Sequence, residues 1–418
     1  MIFIHAADIH LDSPLTGLSA YADAPVEMLR TATRDAFTNL VTEAIEQQVD
    51  FMVIAGDLYD GTWKCHNTGI YFCKQMGRLK KAGIPVYVLF GNHDAESEMT
   101  KKLQLPDNVF TFETRKPTTF QIDQLKVALH GRSFKEAATT ENLVTGYPPP
   151  VQGMLNIGVL HTALEGNTVH ANYAPCSLNE LHAKGYNYWA LGHVHEYQIW
   201  NGASTIVFPG NLQGRHIRET GARGAALVTA DESGVQKVER LYVDVLRWHS
   251  LEVDVAECTS LAEVVRAIGK GLEVIVENSP STIPSAVRVT ITGKTPAHGD
   301  LFGMESQLRV EVLALAAAIG ADRLWIEKVK VSTSAEDDGE AVRARADALS
   351  DLQDILVAAE TDQDFLKSLQ EDLLALVTKA PLELQTSVPY FKDIRSGDLV
   401  ELVREVRPGL VAHLAKVE

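Results

Sequence analysis

The chain has 418 residues, 45% hydrophobic and 22% charged, the composition of an ordinary globular protein of two or three domains. No apolar run is long enough to cross a bilayer, and Met1-Ile-Phe-Ile-His-Ala-Ala-Asp8 has neither a basic region nor a long apolar stretch, so no membrane span or leader is expected. The net charge of −17 argues against a non-specific nucleic-acid coat, although residues 334–418 alone hold 18 acids against 9 bases and the rest lies nearer balance.

The first half alternates strands and helices. Strands are expected at Ile2–Ala6, Asp50–Ala55, Pro85–Phe90, Lys126–His130, Ile157–His161, Tyr188–Leu191, Ile206–Phe208 and Ala225–Thr229, with helices at Val26–Gln48 and Thr68–Ala82. Tyr147-Pro-Pro-Pro150 is a loop. Strands interleaved with amphipathic helices predict an α/β domain over residues 1–246. The pattern then changes. Strands at His249–Val255, Ala286–Thr292 and Leu324–Val331, with helices from Ser260 and near Glu305–Ile319, predict a smaller α/β domain over residues 247–333. Residues 334–418 read as a further region. The polar, acidic stretch Ser332–Glu340 reads as a linker, and Ala341–Ala359, Asp362–Thr378 and Gly397–Ala415 have helical spacing. Cys65, Cys73, Cys176 and Cys258 form no C-x-x-C pair, which suits a reducing cytoplasm and disfavours a cysteine zinc site.

Five polar clusters follow apolar strands: Asp8-Ile-His10, Gly56-Asp57-Leu-Tyr-Asp60, Gly91-Asn92-His93-Asp94, Val159-Leu-His161 and Gly192-His193-Val-His195. Taken singly, Asp8-Ile-His10, Gly56–Asp60 and Gly91–Asp94 read as turns, and Gly192–His195 as two alternating sheet residues. Together, at the carboxyl ends of successive strands, they can converge on one point. Asp8, His10, Asp57, Asn92, His161, His193 and His195 offer carboxylate, imidazole and amide donors and no thiolate, which suits Mn²⁺, Fe²⁺ or Zn²⁺. Seven donors exceed one tetrahedral zinc and suit two ions about 3.5–4 Å apart, bridged by a carboxylate and a hydroxide. Such a pair neutralises phosphoryl oxygens and supplies a nucleophile at neutral pH, the chemistry of phosphate-ester hydrolysis. His93 is the candidate to stabilise the transition state or protonate the departing oxygen, with Asp60 and Asp94 as candidate catalytic neighbours. His5, His66, His170, His182, His249, His298 and His413 read as surface or packed residues, and His130 is ambiguous. The glycine-rich basic stretch Phe208–Gly224 places Arg215, His216, Arg218 and Arg223 close after His195, as a phosphate-backbone groove or as a loop with solvated arginines.

In these motifs the chain resembles the calcineurin-like metallophosphoesterases, and among them the bacterial SbcD-type DNA repair exonucleases of the YhaO-like branch. The segments carrying the branch resemblance are Ile4–Pro14 and Pro209–Gly221. The resemblance implies a β-sandwich flanked by helices, a small capping domain and C-terminal helices. It implies one metal held by Asp8, His10, Asp57 and His195 and another by Asp57, Asn92, His161 and His193, with Asp57 bridging and His93 catalytic. Asp60 stands where other branches carry a second histidine and is expected to orient His93. It further implies manganese-dependent hydrolysis of DNA, an SMC-like coiled-coil ATPase partner (SbcC type) bound by the C-terminal helices, and pairing of two copies through Val26–Gln48 and Gly61–Lys80. The alternative is a phosphoesterase of the same fold acting on nucleotides, other small phosphodiesters or phosphoproteins. A non-catalytic scaffold is disfavoured because every ligand position and His93 are filled.

Overall fold

The computed structural model describes residues 1–18, 26–60, 66–96, 104–164, 173–320, 323–334, 348–380 and 390–414. The chain divides into two compact units: Met1–His249 with Ser279–Ala286, and Ser250–Asn278 with Val287–Glu418.

The first unit is a sandwich of two mixed six-stranded sheets. Sheet one runs β12-β11-β1-β2-β3-β4, formed by Gly234–Tyr242, Gly224–Asp231, Ile2–Ala6, Phe51–Ala55, Val86–Leu89 and Val109–Thr111. Its central strands β1, β2 and β3 are parallel, with Ala6 opposite Ile54 and Ala55 opposite Leu89. Sheet two runs β5-β6-β7-β8-β10-β9, formed by Thr118–Ile122, Val127–Gly131, Leu155–His161, Tyr188–Gly192, Thr205–Phe208 and Gln198–Trp200. Here β6, β7, β8 and β10 are parallel, and His161 sits opposite Gly192. These registers bring the carboxyl ends of five motif-bearing strands to one edge of the sandwich.

Both faces of the central strands are covered, which is why they read as continuous apolar runs. Phe3, Phe51, Val53, Leu129, Ile157, Tyr188 and Val207 form the core between the sheets. On the outer face of sheet one, Ile4, Met52, Ile54 and Val88 pack against helices α1 (Val26–Glu46) and α2 (His66–Lys81) through Phe37, Leu40, Phe72, Met76 and Leu79. Each such side chain, once buried, contributes about 1.5–3 kcal/mol. Outside sheet two, Trp189, Leu160 and Phe208 pack on Leu143, Tyr147, Tyr186 and Leu181, the last from helix α4 (Leu178–Ala183), which opens with a Ser177/Glu180 capping box. Helix α3 is the short Asn92–Glu96.

In the second unit, β13 (Arg247–Asp254), β14 (Ser285–Lys294) and β15 (Leu324–Ser334) form a three-stranded sheet. Val287, Val289 and Ile291 of that sheet pack with Val264, Ile268 and Leu272 of α5 (Leu261–Asn278) and Leu308 and Val312 of α7 (Glu305–Gly320). The short α6 (His298–Gly303) precedes α7. Helices α8 (Ala348–Ala359), α9 (Gln363–Lys379), α10 (Tyr390–Ser396) and α11 (Val400–Leu414) share a small core of Leu366, Val377, Phe391, Ile394 and Leu399. The expected linker begins later than Ser332. β15 continues to Ser334 because Val329, Val331 and Thr333 keep a strand's alternation, and residues 335–347 lie outside those described. Cys73, Cys176 and Cys258 are free thiols; Cys65 lies outside the described residues. Among the described residues, no helix is long and apolar enough to cross a membrane.

Candidate metal centre

Each cluster takes its position from the strand before it. After β1 the chain keeps pairing with the loop after β2: Asp8 N–H donates to Gly56, His10 N–H to Asp57 and Leu11 N–H to Leu58. This extended pairing presents Asp8, His10 and Asp57 side by side. Asp8, His10, Asp57 and His193 all adopt positive φ, at 50°, 45°, 52° and 102°. That backbone costs free energy for residues with a Cβ, so its recurrence at four motif positions marks a site whose geometry is imposed by its surroundings. The glycines beside them serve close approach. A Cβ on Gly56, itself at φ 101°, would lie 2.2 Å from His161 Nδ1, and one on Gly91 would lie 2.4 Å from Asp57 Oδ1.

Two donor sets result. Asp8, His10 and His195 bring one ligand atom each within 4.8 Å of one another, and so do Asp57, His161 and His193. Asn92 joins the second set, its Oδ1 2.9 Å from His161 Nε2. A third group of His10, Asp60 and His93 adjoins the first. All seven expected ligands are therefore gathered at one end of the sandwich, and His193 N–H donates to both Asp8 oxygens at 3.1 and 3.0 Å, tying the sets together.

Imidazole tautomers test whether cations fit. His161 Nδ1 lies 3.0 Å from the Ala55 carbonyl, which only accepts, so Nδ1 carries the hydrogen. Its Nε2 lone pair then faces Asn92 Oδ1 at 2.9 Å and Asp57 Oδ2 at 3.4 Å. Three lone pairs meeting in a buried place require a cation or a proton between them. Burial opposes charge on His161, yet the Asp57 and Asp8 carboxylates outweigh it and raise its pKa to about 9, the same demand for positive charge. In the first set, His195 Nδ1–H donates to Glu219 Oε1 at 2.7 Å, leaving its Nε2 lone pair 3.3 Å from His10 Nε2. Burial keeps His10 neutral by pulling its pKa down to about 3. The donor chemistry in both places fits divalent ions.

Around these sets lie the groups that face a substrate. His93 is 39% exposed, and its Nδ1 is 3.5 Å from Asp60 Oδ1. Asp60 also lies 3.6 Å from His10 Nδ1, longer than a hydrogen bond, and 3.8 Å from Arg215 Nη1. The neighbouring His10 holds the Asp60 carboxyl well below the usual range, burial opposing and Ser13 and Arg215 assisting. Arg215 donates to Ser13 Oγ at 3.2 Å and lies 3.6 Å from Glu219, while its Nε–H is buried with no partner. His216 is half-buried with Nε2 3.7 Å from Glu219, and Arg218 is exposed.

Two expectations are corrected. Asp94 is not a substrate-facing group: it is 1% exposed, and its carboxylate accepts from the N–H groups of Gly91, Leu58 and Tyr59 at 3.0, 3.1 and 2.9 Å. It braces the loops carrying Asp57 and His93. Arg223 lines no groove. It is 3% exposed and donates to the His195 carbonyl, Asn211 Oδ1, Glu196 and the Thr220 carbonyl. Glu219 was not singled out from the sequence. Besides His195 it accepts from Asn211 Nδ2 at 3.0 Å and the Arg215 N–H at 2.7 Å. Burial opposes its ionisation, but His195 and Arg215 hold it well below the usual carboxylate range. Among the histidines read as packed, His5 is fully buried, bonded to Tyr188 and Leu191; His130 resolves as a structural residue between Thr119 and Asn156. His170 and the side chains of His66 and His413 lie outside the described residues.

Comparison with known proteins agrees with this geometry. Residues 1–197 match the family described as calcineurin-like phosphoesterase, and residues 248–334 match the middle domain of metallophosphoesterase YhaO. An uncharacterized metallophosphoesterase YhaO from Bacillus subtilis is 31% identical over 300 residues, 71% of this chain and 72% of that protein. The DNA double-strand break repair protein Mre11 of Methanopyrus kandleri is 27% identical over 62% of this chain and 59% of its own length. Its namesake from Aeropyrum pernix is 25% identical over 80% of this chain and 82% of its own. With both sheets, the motif order and these matches in agreement, the chain belongs to the calcineurin-like metallophosphoesterases, hydrolases of phosphoester bonds, in the branch that contains YhaO.

Proposed function

We propose that this protein is a manganese-dependent DNA exonuclease of DNA repair, acting in the cytoplasm with an SMC-like coiled-coil ATPase. The observation that carries the reading is the pair of convergent donor sets with the half-exposed His93 beside them. The likeness to proteins named for DNA double-strand break repair supports the substrate class.

Two divalent ions held by these donors would neutralise a phosphodiester's anionic oxygens and acidify water. The protein's own residues do the rest. Glu219 fixes the His195 tautomer so that Nε2 points inward. Asp60, held as a carboxylate, turns His93 Nδ1 toward itself and leaves the opposite ring edge for substrate. His93 can then pass a proton to the departing sugar oxygen. Arg215 offers the phosphate a guanidinium already braced by Ser13. Arg218 extends that charge along the loop, while burial lowers the pKa of His216 and leaves it a neutral hydrogen-bonding neighbour. The acidic C-terminal helices suit a protein partner better than DNA.

The test is metal-dependent degradation of linear duplex DNA by purified protein, compared across Mn²⁺, Mg²⁺ and Zn²⁺. Progressive shortening in Mn²⁺ is expected. Rapid turnover of small phosphodiesters with DNA left intact would instead establish the alternative substrate class.

A further inference from the structure

A ladder of arginines and tyrosines gathers at the outer strand of sheet one, with Arg240 and Tyr242 on β12, Tyr197 from the loop after β8 and Arg247 from the start of β13. The Arg240 guanidinium lies over the ring of Tyr197 at 4.7 Å and over that of Tyr242 at 5.1 Å, and Arg247 lies over Tyr242 at 5.6 Å. Register places this ladder at the metal end of the sandwich. Arg240 is opposite Ala226, Ala226 is opposite His5, and Asp8 follows His5 three residues later. Tyr197 comes two residues after His195, and Arg240 Nη2 donates to the Ala222 carbonyl, next to the arginine that holds the His195 loop.

Although the rings already carry these guanidinium contacts, part of the cluster stays open to solvent. Arg240 is exposed and, among the described residues, has no carboxylate within ion-pair distance. The acids around it are engaged elsewhere: Glu196 with Arg223, Glu239 with Lys237, and the buried Asp244 with Arg247. Tyr242 is 51% exposed at the end of the polar strand Gly234–Tyr242. A guanidinium already resting against two rings and donating to the Ala222 carbonyl has less freedom left to lose when it binds a phosphate. A partly open aromatic ring beside it offers a stacking face for a base without regard to its identity.

We infer that Arg240 and Tyr242, with Tyr197 and Arg247 holding them, form a track for unpaired nucleotides adjoining the scissile phosphate. Arg240 binds a backbone phosphate and Tyr242 stacks on the neighbouring base. This rests on the nucleic-acid reading above and adds that the strand at the site is unpaired.

The test uses the metal-loaded protein and a fluorescent, phosphorothioate-linked unpaired oligonucleotide that resists hydrolysis. Tyr242→Ala should raise Kd about 10-fold, the loss of one stacked base, whereas Tyr242→Phe should stay within about twofold of wild type. Arg240→Gln should weaken binding and lower the salt slope by about one phosphate contact. Equal affinity of Tyr242→Ala and wild type, equal loss in Tyr242→Phe, or an unchanged salt slope in Arg240→Gln would each overturn the track. Wild-type protein that binds the oligonucleotide yet cuts no DNA would end the exonuclease reading and leave the track standing. Failure of wild type to bind it, with duplex DNA still degraded, would overturn the track and leave the exonuclease reading standing.

Discussion

Glu219→Gln is the most informative perturbation because it changes a single charge and leaves every proposed ligand in place. The wild-type carboxylate takes hydrogens from His195 Nδ1, Asn211 Nδ2 and the Arg215 N–H, at 2.7, 3.0 and 2.7 Å, so all its oxygens face donors. A glutamine supplies one oxygen and one NH₂ group, and the NH₂ must confront at least one of those donors. If the oxygen keeps His195, the conflict falls on Asn211 and Arg215 and shifts the loop. If it turns the other way, His195 loses its fixed tautomer and Nε2 carries a hydrogen toward His10. Altering such an outer partner of a metal-binding histidine costs about 10–100-fold in metal affinity, or about 1.4–2.7 kcal/mol. The loss should fall on one site, because Glu219 touches the Asp8/His10/His195 set and has no contact with His161. Equilibrium dialysis over a range of Mn²⁺ with elemental analysis reads this directly. Wild type should fill two sites, and the variant should lose the weaker-held ion at concentrations that still saturate the other. Two ions bound with wild-type affinity would refute the tautomer argument, and loss of both together would refute the assignment of Glu219 to one site.

Replacing His93 with Asn should cut turnover about 10²–10⁴-fold with both ions retained, since His93 lies beside the donor sets rather than in them; metal loss in that variant would make it a ligand. Asp57→Asn should disturb both sites if the carboxylate bridges, and dialysis showing two ions at normal affinity would exclude bridging. Truncation at residue 380 should weaken binding to the proposed SbcC-type ATPase in a pull-down more than it slows hydrolysis of small phosphodiesters; equal ATPase binding by both forms would count against a partner-binding role for the tail. Acid sensitivity should trace in part to His5, whose pKa burial pulls from 6.5 to about 3 against a hydrogen bond to the Leu191 carbonyl. Unfolded His5 takes up a proton below about 6.5 and the folded residue does not. Its contribution is thus intact above that pH and falls by about 1.4 kcal/mol per unit on acidification toward 3. Chemical denaturation of wild type and His5→Gln at pH 7 and 5 should show a smaller acid loss in the variant, and parallel losses would contradict it.

The sequence revealed the central strands and the ligands because both carry strong local signals. A strand covered on both faces is an uninterrupted apolar run, as in Phe51–Ala55, and polar residues immediately after it stand out. The edge strands Val109–Thr111, Thr118–Ile122, Gln198–Trp200 and Gly234–Tyr242 were missed. They are short or half-polar, and it is pairing with a neighbour that makes them strands. Roles outside the ligand sets were legible only as lists of candidates. Asp60 and Asp94 each sit close to a ligand in sequence, but Asp94 turns inward to three backbone N–H groups while Asp60 stays at the cleft. Likewise Arg215 and Arg223 come from one basic loop, and only the fold separates the buried brace from the site residue. Glu219 meets His195 across 24 residues, a pairing that no local pattern encodes.

The placement of the donors also ties catalysis to stability. Asp8, His10 and Asp57 come from sheet one, whereas His161, His193 and His195 come from sheet two. Each donor set therefore spans the sandwich, and an ion held by either set would clamp both sheets. Before any ion binds, the apolar core between the sheets must hold them in register against the repulsion of neighbouring carboxylates and the strain of four positive-φ residues. Ions that bind only the folded form repay this by mass action, adding about 2.7 kcal/mol per site at a concentration 100 times Kd. The divided origin of the ligands thus makes metal occupancy and sheet packing mutually reinforcing. A substitution deep in the sandwich core, at Phe51 or Tyr188, should lower metal affinity although it touches no ligand, and saturating metal should recover part of the lost stability.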